Sequence, residues 1–256
     1  MRIKMKLALR IAFLGTNYCG YQLQPNGVTV QEKINQAVAR VFGDRCDVTG
    51  CSRTDSGVHA NDFCLTVCDR GSDSLETTIP DRNIIRALNT YLPEDIAVKS
   101  LMWVDGNFHP RYSVKYKEYI YRIYNAPVRS PFETGRSLYY PHPLDSDKLE
   151  AMNAAARHFI GKHDFRAFMA SGSDITDTER HVMDAEVCRI GDLVLFRVSA
   201  DGFLYNMVRI MTGTLLEVAE GRIIPDDIPS IIASLDRGRA GRTAPACGLY
   251  LNRVVY

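Results

Sequence analysis

Residues 50–60, Gly-Cys-Ser-Arg-Thr-Asp-Ser-Gly-Val-His-Ala, combine in one short segment the residue types that could do chemistry. Arg53 stands two residues before Asp55, and its guanidinium would favour the charged form of that carboxyl group even where a substrate excludes water. Gly57 tolerates a positive φ, so a ligand can approach the main chain closely. A single ionised acid suits a nucleophile or a base and differs from the paired carboxylates of a glycosidase. The alternative is a surface turn with an ordinary Arg–Asp ion pair.

A second candidate region is the run of four tyrosines and three cations within residues 115–125. The period of two in a strand would place on one face Lys117, Tyr119, Tyr121 and Ile123. Aromatic faces beside cations are typical of RNA-binding surfaces, because every base has a face that stacks. The alternative is that these tyrosines are strand formers that fill a core.

Arg209 marks a third region, the segment at residues 202–213, which opens a predicted helix. It falls one helical turn before Gly213, on a face that this small residue leaves open. Either Arg209 faces a functional group, or it is a solvated side chain that bridges to Glu217. Further along, residues 237–245 combine three cations with glycines and would form either a phosphate-binding loop or a flexible connector.

Signatures of metal, disulfide and cofactor sites are missing from the sequence. The seven cysteines are odd in number and include no C-x-x-C, and the six histidines include no H-E-x-x-H. Walker and dinucleotide glycine patterns are missing as well. We therefore expect no metal, no cofactor and reduced, mostly packed thiols. His59 is expected to be a hydrogen-bond partner that stabilises the Asp55 segment.

Composition indicates an ordinary globular protein, because 46% of the 256 residues are hydrophobic and 24% are charged. No apolar run approaches the roughly 20 residues that cross a bilayer. The first residues alternate charged and apolar types, whereas a signal peptide has a continuous apolar stretch. We expect a cytoplasmic protein with no membrane segment. With a net charge of only +1, an RNA-binding surface would need its cations concentrated on one face.

Periodicity and turn signals predict the order β-α-β-β-α-β in the first part of the chain. The predicted elements are a strand at residues 3–13, a helix opened by the capping-box signature Thr29-Val-Gln-Glu32, a short strand before Asp55, a strand at 63–68, a helix from Pro80 towards Pro93 and a strand at 96–104.

The rest of the chain repeats this logic without repeating the sequence. Its predicted elements are a strand at 119–124, a helix at 149–160, a hairpin of strands 183–190 and 193–200, helices at 204–219 and 225–235 and a strand at 249–255. We therefore predict an α+β fold of two ferredoxin-like halves whose antiparallel sheets flank a central active-site cleft. The first half, residues 1–104, would carry the Asp55 loop, and the second, residues 105–256, would complete the cleft.

Read whole, residues 50–60 resemble the active-site motif R-T-D-x-G-V-H-A of the tRNA pseudouridine synthase A family. Other segments resemble that family in the same order: its K/R-x-Y-x-Y segment at Tyr119, its G-F-L-x-x-M-V-R stretch at Arg209, and residues 243–251. The family isomerises uridine to pseudouridine at positions 38, 39 and 40 of the tRNA anticodon arm. The resemblance implies tRNA as the partner, two α/β halves around a basic cleft, and a homodimer.

The resemblance also implies roles for individual residues. Asp55 matches the catalytic aspartate, Arg209 the arginine that faces it, and Tyr119 the tyrosine stacked near the target base. The predicted substrate-binding residues are Arg53, Thr54, Arg111, Lys117 and Arg180. The chain departs from the family at Glu118, where relatives often carry an arginine, and at Asn206, where they commonly carry a histidine.

Pseudouridine formation is redox-neutral, which fits a chain without a cofactor motif. Asp55 would either attack C1′ of the nucleotide or remove a C2′ proton. Two other classes of function explain parts of the sequence. A non-catalytic RNA-binding protein of two ferredoxin-like units would account for the tyrosine-rich strand but leaves Asp55 without a role, and no RNP1-like segment is present. An aspartate-dependent hydrolase of a small molecule would need a compact apolar pocket.

Overall fold

Strand pairing is mostly antiparallel in the computed structural model, which describes residues 4–172 and 175–256. Five α-helices accompany the strands within those residues, so the predicted α+β class is confirmed. The chain forms two compact units: the first holds the chain up to Lys115 and the segment Leu251–Tyr256, and the second holds Tyr116–Tyr250. The ferredoxin-like character of the halves and their division after residue 104 stay predictions.

The first unit has the predicted order of elements. These are β1 (Met5–Phe13), α1 (Val30–Phe42), β2 (Cys46–Gly50), β3 (His59–Asp69), α2 (Asp81–Tyr91) and β4 (Ile96–Asp105). Strand β1 pairs antiparallel with both β3 and β4, and β2 pairs antiparallel with β3. Ile3, the first residue of the predicted first strand, lies outside the described residues.

Apolar alternation and helix capping explain why these elements form. Leu7 and Leu9 of β1 are buried, as period-two geometry requires, and Ile34 of α1 is buried with them. Helix α1 begins where Oγ1 of Thr29 accepts a hydrogen bond from the backbone N–H of Glu32 at 3.2 Å. The predicted start of this helix is therefore confirmed, because Thr29 satisfies one of the donors that a helix leaves free at its start.

A segment distant in sequence completes the first unit. Strand β10 (Leu249–Val255) contributes to this unit from Leu251 onward. Nη1 of Arg10 donates a hydrogen bond of 2.8 Å to the carbonyl of Val254, 244 residues away. The same guanidinium lies over the ring of Tyr256 at 5.1 Å, and the Tyr256 hydroxyl donates to the carbonyl of Pro110 at 2.7 Å.

The second unit contains more elements than the sequence predicts. Before β10 these are β5 (Tyr116–Tyr124), β6 (Leu138–Tyr139), α3 (Ser146–Arg157), β7 (Gly161–Asp164), β8 (Glu179–Ile190), β9 (Leu193–Ala200), α4 (Met207–Ala219) and α5 (Ile228–Ser234). Strand β9 pairs antiparallel with β5 and β8, β8 with β7, and the short β6 is parallel to β5. The predicted hairpin across Gly191-Asp192 is confirmed. No helix of the described chain is both long and apolar enough to span a membrane.

Several predicted helix boundaries differ from those in the structure, and two of the differences have a clear local reason. Helix α3 begins at Ser146, three residues before the predicted start, because Asp145 caps it by accepting a hydrogen bond from the Lys148 N–H at 3.0 Å. Helix α4 begins at Met207 and not at residue 204, because Asn206 has a left-handed backbone with φ 61°. The two short strands β6 and β7 carry too few residues for an alternating pattern to show.

Candidate active site

The Asp55 loop (residues 51–58) joins β2 to β3 in the first unit. Gly57 has φ 79°, so the expected positive φ is confirmed, and the Val58 N–H closes the turn on the carbonyl of Asp55 at 3.1 Å. Asp55 is half-buried and Arg53 is exposed. The loop therefore presents a partly accessible acid, Asp55, close in sequence to an exposed cation, Arg53.

Main-chain contacts with residues 15–21 hold this loop. The Tyr21 N–H donates to the carbonyl of Thr54 at 3.2 Å, and Oγ of Ser56 donates to the carbonyl of Tyr18 at 3.1 Å. Gly20 has φ 81°, and a methyl group there would overlap the Thr54 carbonyl oxygen. Only glycine allows these two segments of the main chain to approach so closely, so the position of the Asp55 loop depends on Gly20.

His59 has the structural role that the sequence predicts. Its side chain is fully buried at the start of β3, and Nδ1 accepts a hydrogen bond from the Gly15 N–H at 2.9 Å. This bond fixes the tautomer, because an Nδ1 that accepts carries no proton. His59 thus ties the end of the Asp55 loop to the segment that packs against it.

Thr54 contains a polar group without a protein partner. The residue is only 9% exposed, and among the described residues no hydrogen-bond partner exists for its buried Oγ1. Leaving a hydroxyl buried and unpaired costs about 1–3 kcal/mol. Thr54 lies between Arg53 and Asp55 in the sequence, so this energetically unfavourable group belongs to the candidate site.

Tyr119 and Tyr121 lie on the buried face of β5 in the second unit, which confirms the predicted alternation. The Tyr119 ring is only 7% exposed and meets the ring of Phe203 edge to face, with centroids 5.0 Å apart. The Tyr121 hydroxyl donates to the carbonyl of Pro245 at 2.6 Å. Burial raises the pKa of Tyr121 far above its ordinary range, so this phenol stays neutral.

Arg209 projects from the first turns of α4, where two neutral oxygen atoms bind its guanidinium. Nε donates to the carbonyl of Ala244 at 2.7 Å, and Nη1 donates to Oδ1 of Asn206 at 2.6 Å. The Ala244 N–H in turn donates to the carbonyl of Arg209 at 3.0 Å. Glu217, the alternative partner considered from the sequence, accepts a hydrogen bond from the Arg242 N–H at 3.0 Å.

The glycine-rich loop at residues 237–245 packs against α4. A methyl group at Gly213 would overlap the carbonyl of Arg242, and the Gly241 N–H donates to Oγ1 of Thr214 at 2.9 Å. Nη2 of Arg237 donates to Oγ1 of Thr243 at 3.1 Å, within the loop itself. Gly241, Arg242 and Ala244 thus hydrogen-bond to α4, which holds this part of the loop against the helix.

The other predicted site residues lie on different elements. Lys117 is half-buried on β5, and Arg180 on β8 donates to the backbone carbonyls of Asp177 and Glu179, at 3.1 Å for Asp177. Arg111 is exposed in the first unit, with its guanidinium 5.9 Å from the ring centre of Tyr112. The first unit thus holds Arg53, Thr54, Asp55 and Arg111, and the second holds Lys117, Tyr119, Arg180 and Arg209.

Sequence reasoning missed three groups at these positions. The Ala244 carbonyl and the Asn206 amide are the partners of Arg209, and no pattern in the sequence indicates a backbone carbonyl 35 residues away as a partner. Tyr112 is 77% exposed beside Arg111. Here a signal existed, since an aromatic residue directly follows a cation in a short turn.

Within the described chain, no group of three or more His, Cys, Asp or Glu side chains is placed to hold a metal ion. None of the seven cysteines, all of which the structure describes, forms a disulfide.

Comparison with known proteins finds similarity over most of the chain. A family model described as tRNA pseudouridine synthase matches residues 10–113 and 155–256. Three relatives bear the name tRNA pseudouridine synthase A. The protein of Acetivibrio thermocellus is 45% identical over 97% of this chain and 98% of its own length. Those of Ruminiclostridium cellulolyticum and Clostridium acetobutylicum are 44% and 41% identical, over 98% and 97% of this chain and 99% and 98% of their own lengths.

Proposed function

Because the chain belongs to the tRNA pseudouridine synthase family, we propose that it isomerises uridine to pseudouridine in the anticodon arm of tRNA, at positions 38, 39 and 40. The observation that carries this proposal is the Asp55 loop. It contains the residues R-T-D-S-G-V-H-A in an arrangement held by main-chain bonds and close glycine contacts, in which Asp55 is half-buried and Arg53 is exposed.

The reaction breaks the N1–C1′ bond of uridine, turns the base and joins C5 to C1′. The proton leaves C5 and N1 gains one, so the product is an isomer and no electrons are exchanged with a partner. Asp55 assists in one of two ways. As a nucleophile, its carboxylate would bond to C1′ as N1 leaves, and C5 would later displace it. As a base, it would take the C2′ proton as N1 leaves and return it after C5 attacks C1′.

Two positively charged side chains support Asp55 in this proposal. Arg209 would face the carboxylate and keep it ionised, since its guanidinium is always charged and its hydrogen bonds to Asn206 and Ala244 hold it in place. Arg53 is exposed and would help to displace the target uridine from its stack, a step that costs a few kcal/mol.

Contacts to the base and backbone would come from the remaining residues. Tyr119, whose ring is fixed by Phe203, would pack on the target base. The Thr54 hydroxyl is buried without a partner among the described residues, so it would bind the substrate only once the Asp55 loop moves to expose it. Further RNA contacts would come from Arg111, Lys117 and Arg180. We also propose that the protein acts as a cytoplasmic homodimer, so that tRNA contacts can extend over more surface than one chain provides.

The test replaces Asp55 by asparagine, which keeps the shape of the side chain and removes its charge. Pseudouridine formation should fall to background, whereas the dissociation constant for tRNA should change by only a few fold. The matched control is Asp62→Asn, because Asp62 is also a half-buried aspartate of the first unit and pairs with Arg10. Asp62→Asn should retain activity.

The site of modification is tested separately. Carbodiimide mapping of tRNA from cells that lack the gene should show loss of pseudouridine confined to the anticodon arm. Full turnover by the Asp55→Asn enzyme would refute the catalytic role of this residue. An unchanged map would refute the proposed substrate position.

A further inference from the structure

Asn206 has an unusual backbone for its residue type. In the described part of the chain, Asn206 and Leu235 are the non-glycine residues with positive φ, at 61° and 56°. The left-handed conformation is unfavourable for residues with a side chain, although asparagine tolerates it better than most. Such conformations persist only where the surrounding structure requires them, and they cluster at functional sites.

The side chain of Asn206 is also used in an unusual way. Asparagine is among the best residues for capping the start of a helix. Asn206 occupies that position in α4, a helix described over its full length, yet its side chain makes no capping hydrogen bond. Oδ1 of Asn206 instead accepts a hydrogen bond of 2.6 Å from Nη1 of Arg209.

Two neutral acceptors constrain the orientation of the Arg209 guanidinium. The Ala244 carbonyl binds Nε at 2.7 Å, and Oδ1 of Asn206 binds Nη1. A guanidinium is planar, so bonds at two of its nitrogen atoms set its plane and the directions of its remaining donors. Both acceptors are neutral. They therefore orient the cation without cancelling its charge, which a carboxylate in the same place would do.

We propose that Asn206 is a positioning residue, whose left-handed backbone places Oδ1 where it orients Arg209 for uridine isomerisation. This inference rests on the proposed role of Arg209. The orientation matters because a misplaced charge beside a reacting group costs rate even when binding is unaffected.

The variant Asn206→Gly separates positioning from structure. Glycine adopts φ 61° without strain, which offsets its greater freedom in the unfolded chain, so the melting temperature should change by no more than a few degrees. The acceptor is lost, so the single-turnover rate, measured by tritium release from C5 of labelled uridine in tRNA, should fall at least tenfold. The dissociation constant for tRNA should stay within twofold. The matched control is Leu235→Gly, which relieves the same backbone conformation away from Arg209 and should leave the rate unchanged.

A double-mutant cycle identifies Arg209 as the residue through which Asn206 acts. In an Arg209→Gln background, Asn206→Gly should have no further effect on the rate. The inference is overturned if Asn206→Gly keeps the wild-type rate within twofold, or if the two substitutions reduce the rate independently. The proposed function fails in a different way: Asp55→Asn would then remain active, or Arg209→Gln would react as fast as the unchanged enzyme.

Discussion

Single methyl groups would displace the main chain around Asp55. Gly20→Ala would combine a left-handed backbone, which costs about 1–2 kcal/mol, with overlap at the Thr54 carbonyl, which costs about 1–3 kcal/mol. We expect both a lower free energy of unfolding and a loss of pseudouridine formation, because the Asp55 loop must move.

Gly43→Ala is the control for this experiment. Gly43 has a φ of 83°, nearly that of Gly20, but nothing lies within 4 Å of the added methyl group. Gly43→Ala should lower the free energy of unfolding by about 1–3 kcal/mol, because φ 83° with ψ 171° is a backbone region that glycine almost alone adopts, and it should leave the rate intact. Equal effects of the two variants on the rate would show that close packing at Gly20 does not position the loop.

Tyr112 is an exposed aromatic residue beside the cation of Arg111. It is 77% exposed, its ring lies 5.9 Å from the guanidinium of Arg111, and the ring of His109 is 4.3 Å away on centroids. An exposed ring beside a cation suits stacking on an unpaired base, a contact worth about 1–3 kcal/mol. Tyr112→Ala should raise the dissociation constant for tRNA about fivefold or more without changing the melting temperature, and Tyr112→Phe should restore binding.

Phe132→Ala serves as the comparison for Tyr112→Ala. Phe132 is an equally exposed ring, at 83%. Its removal should not weaken tRNA binding. If both substitutions weaken binding alike, the effect is one of exposed apolar surface in general and not of the Arg111–Tyr112 pair.

At the scale of elements, the contact between α4 and the loop at residues 237–245 connects helix packing to the site. Replacing glycine by alanine in a helix interior normally stabilises a protein by about 0.5–1 kcal/mol. At Gly213 the same replacement should instead destabilise the protein, because the added methyl group overlaps the Arg242 carbonyl. Gly213→Ala should destabilise the protein by about 1–3 kcal/mol and slow catalysis, since Ala244 in the displaced loop binds Arg209.

The same helix offers the control. Gly221 follows the end of α4 with φ 71° and open space around it. Gly221→Ala should cost about 1–2 kcal/mol of stability through its backbone alone and leave the rate unchanged. A wild-type rate in a folded Gly213→Ala protein would argue against any coupling of the loop to Arg209.

The elements show what sequence periodicity can and cannot predict. Strand β9 and helix α1 have strong patterns and clear caps, and their predicted positions are confirmed. The start of α4 could not be predicted, because no pattern in the sequence indicates that Asn206 has a left-handed backbone. Within the site, the motif around Asp55 could be predicted because its residues are contiguous in the sequence. The partners of Arg209 could not be predicted, because tertiary contacts bring them together.

At the scale of the whole molecule, buried tyrosines predict sensitivity to alkaline pH. Burial raises the pKa of Tyr21, Tyr121 and Tyr256 above the ordinary value near 10. Below pH 10 these phenols are protonated in both states. Above it the unfolded chain loses these protons first, so the free energy of unfolding should fall as pH rises, by up to about 1.4 kcal/mol per pH unit for each phenol.

Denaturant titrations at several pH values above 10 test this expectation, with phenolate absorbance followed in parallel. The phenolate signal of the buried tyrosines should appear together with unfolding. Tyr256→Phe should make the decline with pH shallower. A free energy of unfolding that stays constant between pH 10 and 11 would contradict the prediction.

The return of β10 to the first unit has a consequence for biosynthesis. A ribosome that adds 5–20 residues per second needs on the order of ten seconds to pass from Lys115 to Leu251. During that time the nascent first unit lacks the Val254 carbonyl for Arg10 and the aromatic ring of Tyr256. Residues Tyr116–Tyr250 leave the tunnel before that segment does. The first unit is therefore the first to begin synthesis, but the second unit is the first to have all of its residues synthesised.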